Sequence, residues 1–174
     1  MTTRDPAIQA LIDKQAITEA LYYYCRGMDR ANPEILHQAY WPDAYEEHTE
    51  MHSSPVGEFI KWSTDLVKPM RTAHRVTNIL IELDDATHAR CESYVWAFHG
   101  IPMEDGSSED VVAGGRYLDH FEKRGDEWRI IRRRLIMDYF TKHPSAEDLG
   151  FFGKLEISGT KDETDPFYAL KSKV

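Results

Sequence analysis

The stretch Thr72-Ala73-His74-Arg75-Val76-Thr77-Asn78-Ile79-Leu80-Ile81 decides how this chain is interpreted. Its alternating pattern predicts a β-strand, in which neighbouring side chains point to opposite faces. His74, Val76, Asn78 and Leu80 would then share one face. A histidine titrates near neutral pH, so His74 is a candidate general base or acid. A structural role is commoner for a lone histidine among apolar neighbours, and the rest of the chain must decide between the two.

Helical patterns precede this strand, and further strands follow it. Asp5-Pro6 is a helix-start signal, and apolar residues three or four apart predict a helix as far as about Met28. Shorter helices are predicted over 33–40 and 56–67. Trp41-Pro42-Asp43-Ala44 is expected to end the first of these, and 44–51 to be a strand or an extended segment. Long strands are predicted over 72–83, 89–101, 111–124 and 128–140, joined by turns or loops at 84–85, 102–110 and 124–126.

Helices followed by four consecutive antiparallel strands are typical of the α+β class. Long strands curl when they pack on helices, so we expect a cone-shaped α+β barrel with N-terminal helices on a curved, mostly antiparallel sheet. Such a cone has an interior that can hold a ligand. We assign the barrel to residues 1–145. Residues 146–174 are expected to be a tail that is partly ordered or at an interface; Phe151, Phe152, Leu155 and Ile157 could pack there, and 158–165 is polar and expected to be mobile.

The amino-acid composition argues against several classes of function. The formal charge of −9 over 174 residues argues against a nucleic-acid partner. The N-terminus lacks the apolar run of a signal peptide, and no stretch is long enough for a membrane span. Cys25 and Cys91 lack metal-ligand spacing and fit a reduced, cytoplasmic setting. The four Trp, nine Tyr and seven Phe indicate either an aromatic-rich core or a pocket for an apolar or aromatic small molecule.

Three further residues are candidates for chemistry. Arg133 lies between Ile131 and Leu135 on the last predicted strand, and a buried guanidinium there would mark either a structural ion pair or an anion site. Asp29 follows the first helix, where the helix dipole tends to raise a carboxylate pKa and where a histidine would be a good partner. Tyr24 lies on the buried helix stripe, so its hydroxyl needs a partner inside.

Several motifs together resemble one known group. Over roughly residues 7–141 the chain is similar to the SnoaL-like branch of the nuclear-transport-factor-2-like superfamily. The motifs that carry this resemblance are Ala16–Tyr24 leading into Gly27-Met28-Asp29, Trp41-Pro42-Asp43-Ala44, His74–Asn78, Gly115-Arg116-Tyr117 and Asp126–Ile130.

The resemblance implies an active site. Cofactor-free lyases of this superfamily, such as scytalone dehydratase, hexachlorocyclohexane dehydrochlorinase and bile-acid 7-alpha dehydratase, remove a proton with an Asp–His pair. Asp29 and His74 fall on those positions. Arg133 falls on an arginine that the dehydrochlorinase uses, Tyr24 on a tyrosine of the bile-acid enzyme and His99 on a second histidine of the scytalone enzyme. The resemblance therefore implies that Tyr24, Arg133 and His99 contact the substrate and stabilise developing negative charge or help the leaving group depart.

We therefore expect a cofactor-independent lyase, with no metal, that acts on an aromatic or alicyclic small molecule as a dehydratase, dehydrohalogenase or deformylase. His48, Trp62, Tyr117 and Met137 are expected to line its pocket beside His99. An isomerase or polyketide cyclase of the same fold, or a non-catalytic binding protein, stays an alternative. The resemblance also implies a homo-oligomer, with a trimer favoured over a dimer, in which Arg132 and Arg134 could lie at the interface.

Overall fold

Three α-helices, six β-strands and one 3₁₀ helix lie within residues 5–145 and 159–173, the part of the chain that the computed structural model describes. In chain order they are α1 (Pro6–Asp29), α2 (Pro33–Ala39), β1 (Tyr40–His48), β2 (His52–Pro55), α3 (Val56–Val67), β3 (Arg71–Leu83), β4 (His88–Pro102), β5 (Ser108–Arg124), β6 (Glu127–Pro144) and the 3₁₀ helix Tyr168–Lys173. No helix in the described ranges is both long and apolar enough to cross a bilayer.

The helix signals of the sequence are confirmed. The Asp5 side chain accepts a 2.8 Å hydrogen bond from the Ala7 N–H, which caps α1 just before its first proline. Asn32 caps α2 in the same way, at 3.0 Å from the Ile35 N–H. Gly27 permits the tight turn between these helices, because a Cβ at Gly27 would lie only 2.6 Å from the Leu36 side chain.

The six strands form one sheet in the order β2-β1-β6-β5-β4-β3. All neighbouring strands are antiparallel except β1 and β6, which run parallel. The predicted α+β class, with helices on a curved and mostly antiparallel sheet, is confirmed, although the sheet stays open rather than closing into a barrel. The four predicted long strands are all present. The second helix ends at Ala39, before Trp41, as predicted, but the strand that follows begins at Tyr40 rather than at residue 44.

A bulge in β3 changes which residues share a face. The register with β4 shifts between Thr77 and Leu80, and Asn78 has φ 47°, a left-handed conformation. The extra residue reverses the alternation, so Leu80 is 61% exposed while Ile81 is 8% exposed. The prediction that Leu80 shares the face of His74 is therefore wrong.

A second bulge lies in β6, where the pairing with β5 skips Ile131. Because of it, Trp128 and Ile130 lie on the buried face together with Arg133 and Leu135. The sequence predicted Ile131 on that face instead. Arg133 itself is buried, as expected.

The described part of the C-terminal tail contacts α1. Asp165 is buried and its carboxylate lies 3.3 Å from Arg30 Nε, while the Arg26 guanidinium lies 3.8 Å from the centre of the Phe167 ring. The sequence predicted a mobile polar stretch over 158–165, whereas within it Asp165 pairs with Arg30 and Lys161 donates a hydrogen bond to Thr72. The predicted packing of Phe151, Phe152, Leu155 and Ile157 lies outside the described residues.

Candidate active site

Asp29, the last residue of α1, meets His74 near the start of β3. The carboxylate accepts a 2.7 Å hydrogen bond from His74 Nδ1, and the His74 backbone N–H lies 3.0 and 2.9 Å from its two oxygens. Burial alone would raise the pKa of Asp29, but hydrogen bonds from His74 and Thr72 bring it below its ordinary value of 3.8. The expectation that the helix end raises this pKa is therefore wrong, because local donors outweigh the dipole.

The bond to Asp29 fixes the state of the imidazole. A charged carboxylate on Nδ1 requires a proton there, so in the neutral ring Nε2 is the nitrogen with a free lone pair. Within residues 5–145 and 159–173 no hydrogen bond to Nε2 is found. The His74 side chain is only 4% exposed and lines an internal cavity. This geometry suits a general base whose proton acceptor faces a ligand.

The cavity has a volume of about 290 Å³ and lies between α3 and the inner face of the sheet. His74 lines it, and so do all five residues that the sequence predicted as its lining: His48, Trp62, His99, Tyr117 and Met137. The sequence did not single out the remaining lining residues, which are mostly apolar: Met28, Met51, Ser63, Leu66, Val67, Met70, Val95, Ala97, Ile101, Val111, Ala113, Gly115, Leu135 and Phe140. In the described part of the chain, no group of three or more His, Cys, Asp or Glu side chains is placed to hold a metal ion.

His99 stands edge-on to His74, with ring centres 5.3 Å apart. Burial, helped by the nearby charges of His74, Lys161 and His48, lowers the pKa of His99 to about 4. The ring is therefore neutral at neutral pH, and it offers one N–H donor and one acceptor rather than a positive charge.

Arg133 does not reach the cavity. Its Nε and Nη2 each donate a 2.7 Å hydrogen bond to Asp119, and both side chains are fully buried. The guanidinium lies 4.2 Å from the ring centre of Tyr24 and 4.0 Å from that of Tyr117. The expectation that Arg133 contacts the substrate is corrected: the sequence left a structural ion pair open, and that is what the structure has.

Tyr24 also lies outside the cavity lining. Its ring is edge-on to His74 at 6.5 Å, and its hydroxyl accepts a 3.4 Å hydrogen bond from Tyr117. Burial raises the pKa of the Tyr24 hydroxyl far above 10.0. The predicted direct role for Tyr24 is therefore corrected to one of packing behind His74, while Tyr117 faces the cavity itself.

Two residues near the site escaped sequence reasoning. Glu46 is fully buried and contacts His48, a pairing that the i, i+2 spacing on one strand face could have indicated. Lys161 comes from the tail, and its ammonium donates a 3.0 Å hydrogen bond to the Thr72 hydroxyl. Burial lowers the pKa of Lys161, although Asp29 opposes this. Nothing in the local sequence around Lys161 indicates that position.

Comparison with known proteins gives the family. Residues 9–134 match the family model of the SnoaL-like domain. The chain belongs to the SnoaL-like family. Its resemblance over 7–141 is thereby confirmed. No curated protein is similar enough to this SnoaL-like chain to count as a match.

Solved structures with the same fold are numerous. A candidate scytalone dehydratase from Novosphingobium aromaticivorans is 24% identical, with a TM-score of 0.69 over 78% of this chain and 90% of that one. A hexachlorocyclohexane dehydrochlorinase of type 2 is 21% identical, with a TM-score of 0.69 over 82% and 95%. A type-3 dehydrochlorinase from Novosphingobium barchaimii is 19% identical, with a TM-score of 0.69 over 82% and 96%. At these identities the likeness shows the fold of the SnoaL-like protein.

The two arginines assigned to the outer face of this SnoaL-like protein have a partner within the chain. Arg132 and Arg134 on β6 both bind the carboxylate of Glu47 on β1, Arg134 through Nε at 2.7 Å. They join the parallel strands, and their guanidinium groups stay largely exposed.

Proposed function

We propose that this SnoaL-like protein is a cofactor-independent lyase acting on an aromatic or alicyclic small molecule. The observation that carries the proposal is the Asp29–His74 pair, fixed by three hydrogen bonds at the wall of an apolar cavity. The structural neighbours named as dehydratase and dehydrochlorinase support the same reaction class.

The pair supplies the base for an elimination. His74 Nε2 takes a proton from a substrate carbon, and Asp29 stabilises the imidazolium that forms. The electron pair of the broken C–H bond forms the new double bond, and the leaving group departs from the neighbouring carbon with its own bonding pair. In a deformylase the proton would come from a hydroxyl, and a C–C bond would break to release formaldehyde.

The cavity suits a small substrate with an acidified proton. An imidazole is a weak base, so the C–H bond must be activated, for example by a neighbouring carbonyl group. Neutral His99 could hold the carbonyl oxygen through its N–H as negative charge develops. The apolar walls exclude water and bind a ring, and a volume of about 290 Å³ limits the substrate to one or two rings.

Conversion of matched ketones tests the proposal. The panel contains indan-1-one, 1-tetralone and cyclohexanone, each carrying a 3-hydroxyl, 3-chloro or 2-hydroxymethyl group. Wild-type protein is expected to release water, chloride or formaldehyde from at least one member. His74→Gln is expected to lower kcat by about 10²–10⁴-fold, the usual worth of a general base. Products are followed by mass spectrometry and by the absorbance of the enone.

The control is His88→Gln, since His88 forms an exposed pair with Asp85 at 3.1 Å and is not among the residues that line the cavity. It should leave conversion unchanged. Full activity of His74→Gln would refute the base assignment. A product with the mass of its substrate would indicate an isomerase or cyclase. Binding without turnover, seen as quenching of Trp62 fluorescence, would indicate a binding protein.

We also propose a cytoplasmic homo-oligomer, with a trimer favoured over a dimer. Cys25 and Cys91 are free thiols, which is consistent with a reducing compartment such as the cytoplasm. The outer sheet face exposes Leu80, Tyr94 and Trp96, which are large apolar side chains that an interface would cover. Light scattering on a size-exclusion column measures the state, and a monomer at micromolar concentration would contradict it.

A further inference from the structure

A second carboxylate–histidine pair faces the cavity. Glu46 and His48 lie two residues apart on β1, and Glu46 Oε1 is 3.1 Å from His48 Nδ1. Its other oxygen, Oε2, accepts a 2.7 Å hydrogen bond from the Tyr40 hydroxyl. His48 lines the cavity, as His74 does. The arrangement repeats that of Asp29 and His74: a carboxylate contacts Nδ1 of the imidazole, and Nε2 makes no contact with that carboxylate.

A glutamate at position 46 carries a cost in folding free energy. Its side chain is completely buried, and a buried carboxylate destabilises a fold unless it is paired. The chain provides the Tyr40 hydroxyl, the His48 imidazole and the nearby positive charge of Arg133. A carboxylate held in this way orients the imidazole.

The ring of His48 is also fixed by packing. Its centre lies 5.4 Å from that of Phe59 and 6.0 Å from that of Trp62, both on α3. No hydrogen bond to His48 Nε2 is found within the described ranges of the chain. All three imidazoles line the same cavity, and the ring centres of His74 and His99 are 5.3 Å apart.

We infer that His48 is a second catalytic residue, which donates a proton to a departing hydroxyl group while His74 removes the proton from carbon. Glu46 is the positioning residue for His48. The inference rests on the proposed lyase function and deepens it by naming the leaving group.

The step balances without a cofactor. His74 Nε2 gains the carbon-bound proton, and the C–H electron pair becomes the second bond of the alkene. The C–O bond breaks with its electrons on oxygen, and protonated His48 gives its Nε2 proton to that oxygen, so that water forms. His74 ends protonated and His48 neutral, and exchange with solvent after product release restores both.

The leaving group follows from this assignment. Hydroxide is a poor leaving group and needs a proton in the transition state, whereas chloride departs as a stable anion. A proton donor in the same cavity as the base is therefore of use in dehydration and not in dehydrohalogenation. The substrate class is a β-hydroxy carbonyl compound on an aromatic or alicyclic ring.

Matched substrates separate the two roles. The 3-hydroxy and 3-chloro derivatives of one ring give the same product, which is an enone for indan-1-one and cyclohexanone and 1-naphthol for 1-tetralone, so one assay serves both. His48→Gln is expected to lower kcat for the hydroxy member about 10²–10⁴-fold and to change kcat for the chloro member less than threefold. His74→Gln should slow both members, and His88→Gln neither.

Glu46→Gln tests positioning. It is expected to shift the pH profile of the hydroxy reaction while the profile of the chloro reaction stays in place, a difference that a packing defect would not produce. Because His48→Gln leaves Glu46 with one partner fewer, the double variant Glu46→Gln/His48→Gln is made in parallel; its two neutral amides can pair, and it should show the same selective loss.

The outcomes of these assays distinguish the role of His48 from the proposed lyase function. Equal loss on both members, or no loss, in the His48 variants would overturn the role of His48 and leave the lyase intact. Conversion of the chloro members alone would do the same. If no hydroxy or chloro member is converted while a hydroxymethyl ketone loses formaldehyde, the lyase stands and the dehydration role of His48 falls. No conversion of any ketone by wild-type protein would overturn both.

Discussion

Replacing Asp119 with asparagine is expected to be among the most damaging single changes in this protein. Asp119 and Arg133 are both fully buried, and two 2.7 Å hydrogen bonds join them. An asparagine can accept one of these bonds but carries no charge, so the guanidinium would remain buried without a counter-ion. The rings of Tyr24 and Tyr117 attract the cation but cannot replace a carboxylate.

Breaking a buried pair from one side typically costs about 3–5 kcal/mol. For a protein of this length each kcal/mol lowers Tm by about 2–4 °C, so Asp119→Asn should melt about 6–20 °C below wild type. Urea unfolding followed by circular dichroism gives the free energy, and a thermal scan gives Tm.

Two variants control for this prediction. Asp65→Asn removes an exposed ion pair with Lys61 and should leave stability close to wild type. Arg133→Met combined with Asp119→Leu removes both charges and should recover most of the loss, since apolar side chains often replace buried pairs at little cost. A loss below about 1 kcal/mol in Asp119→Asn would refute the account of Arg133 as a buried cation that depends on its partner.

Three further predictions follow from local geometry. The lowered pKa of Asp29 means that its carboxylate stabilises the fold above its ordinary pKa of 3.8 and loses this contribution as the pH falls through the folded-state value. The difference in Tm between wild type and Asp29→Asn should therefore shrink between pH 6 and pH 2, and a constant difference would contradict it. Asn78→Val should cost about 1–3 kcal/mol in urea unfolding because of its positive φ, whereas Asn78→Gly should be nearly neutral. Burial raises the pKa of Cys25 and Cys91 to about 12, so neither should react with a disulfide reagent at pH 8 until urea unfolds the protein.

Local signals predicted most of the elements. The Asp5-Pro6 start signal and the spacing of apolar residues predicted the helices, and the turns at 84–85 and 124–126 predicted the hairpins. The parallel pairing of β1 with β6 was not predictable in this way, because it joins strands about 90 residues apart and leaves no local pattern. The bulge at Asn78 also escaped prediction, because the sequence of a strand with one inserted residue does not differ visibly from that of a regular strand.

The candidate site was predicted unevenly for a related reason. The side chains expected in the cavity lining are there, and that expectation came from the aromatic content of the chain and from the resemblance. The partner of a buried charge depends on three-dimensional neighbours. Arg133 was correctly predicted as buried, but only the structure shows Asp119, one strand away, as its partner.

The contact between the tail and α1 has a practical consequence for handling the protein. Arg26 and Arg30, which hold the tail, belong to the same helical end as Asp29. A purification tag or fluorescent fusion attached to the tail would therefore disturb the end of α1 that carries Asp29. The other end of α1 lies 24 residues away, or about 36 Å at 1.5 Å per residue, and is the safer place for attachment.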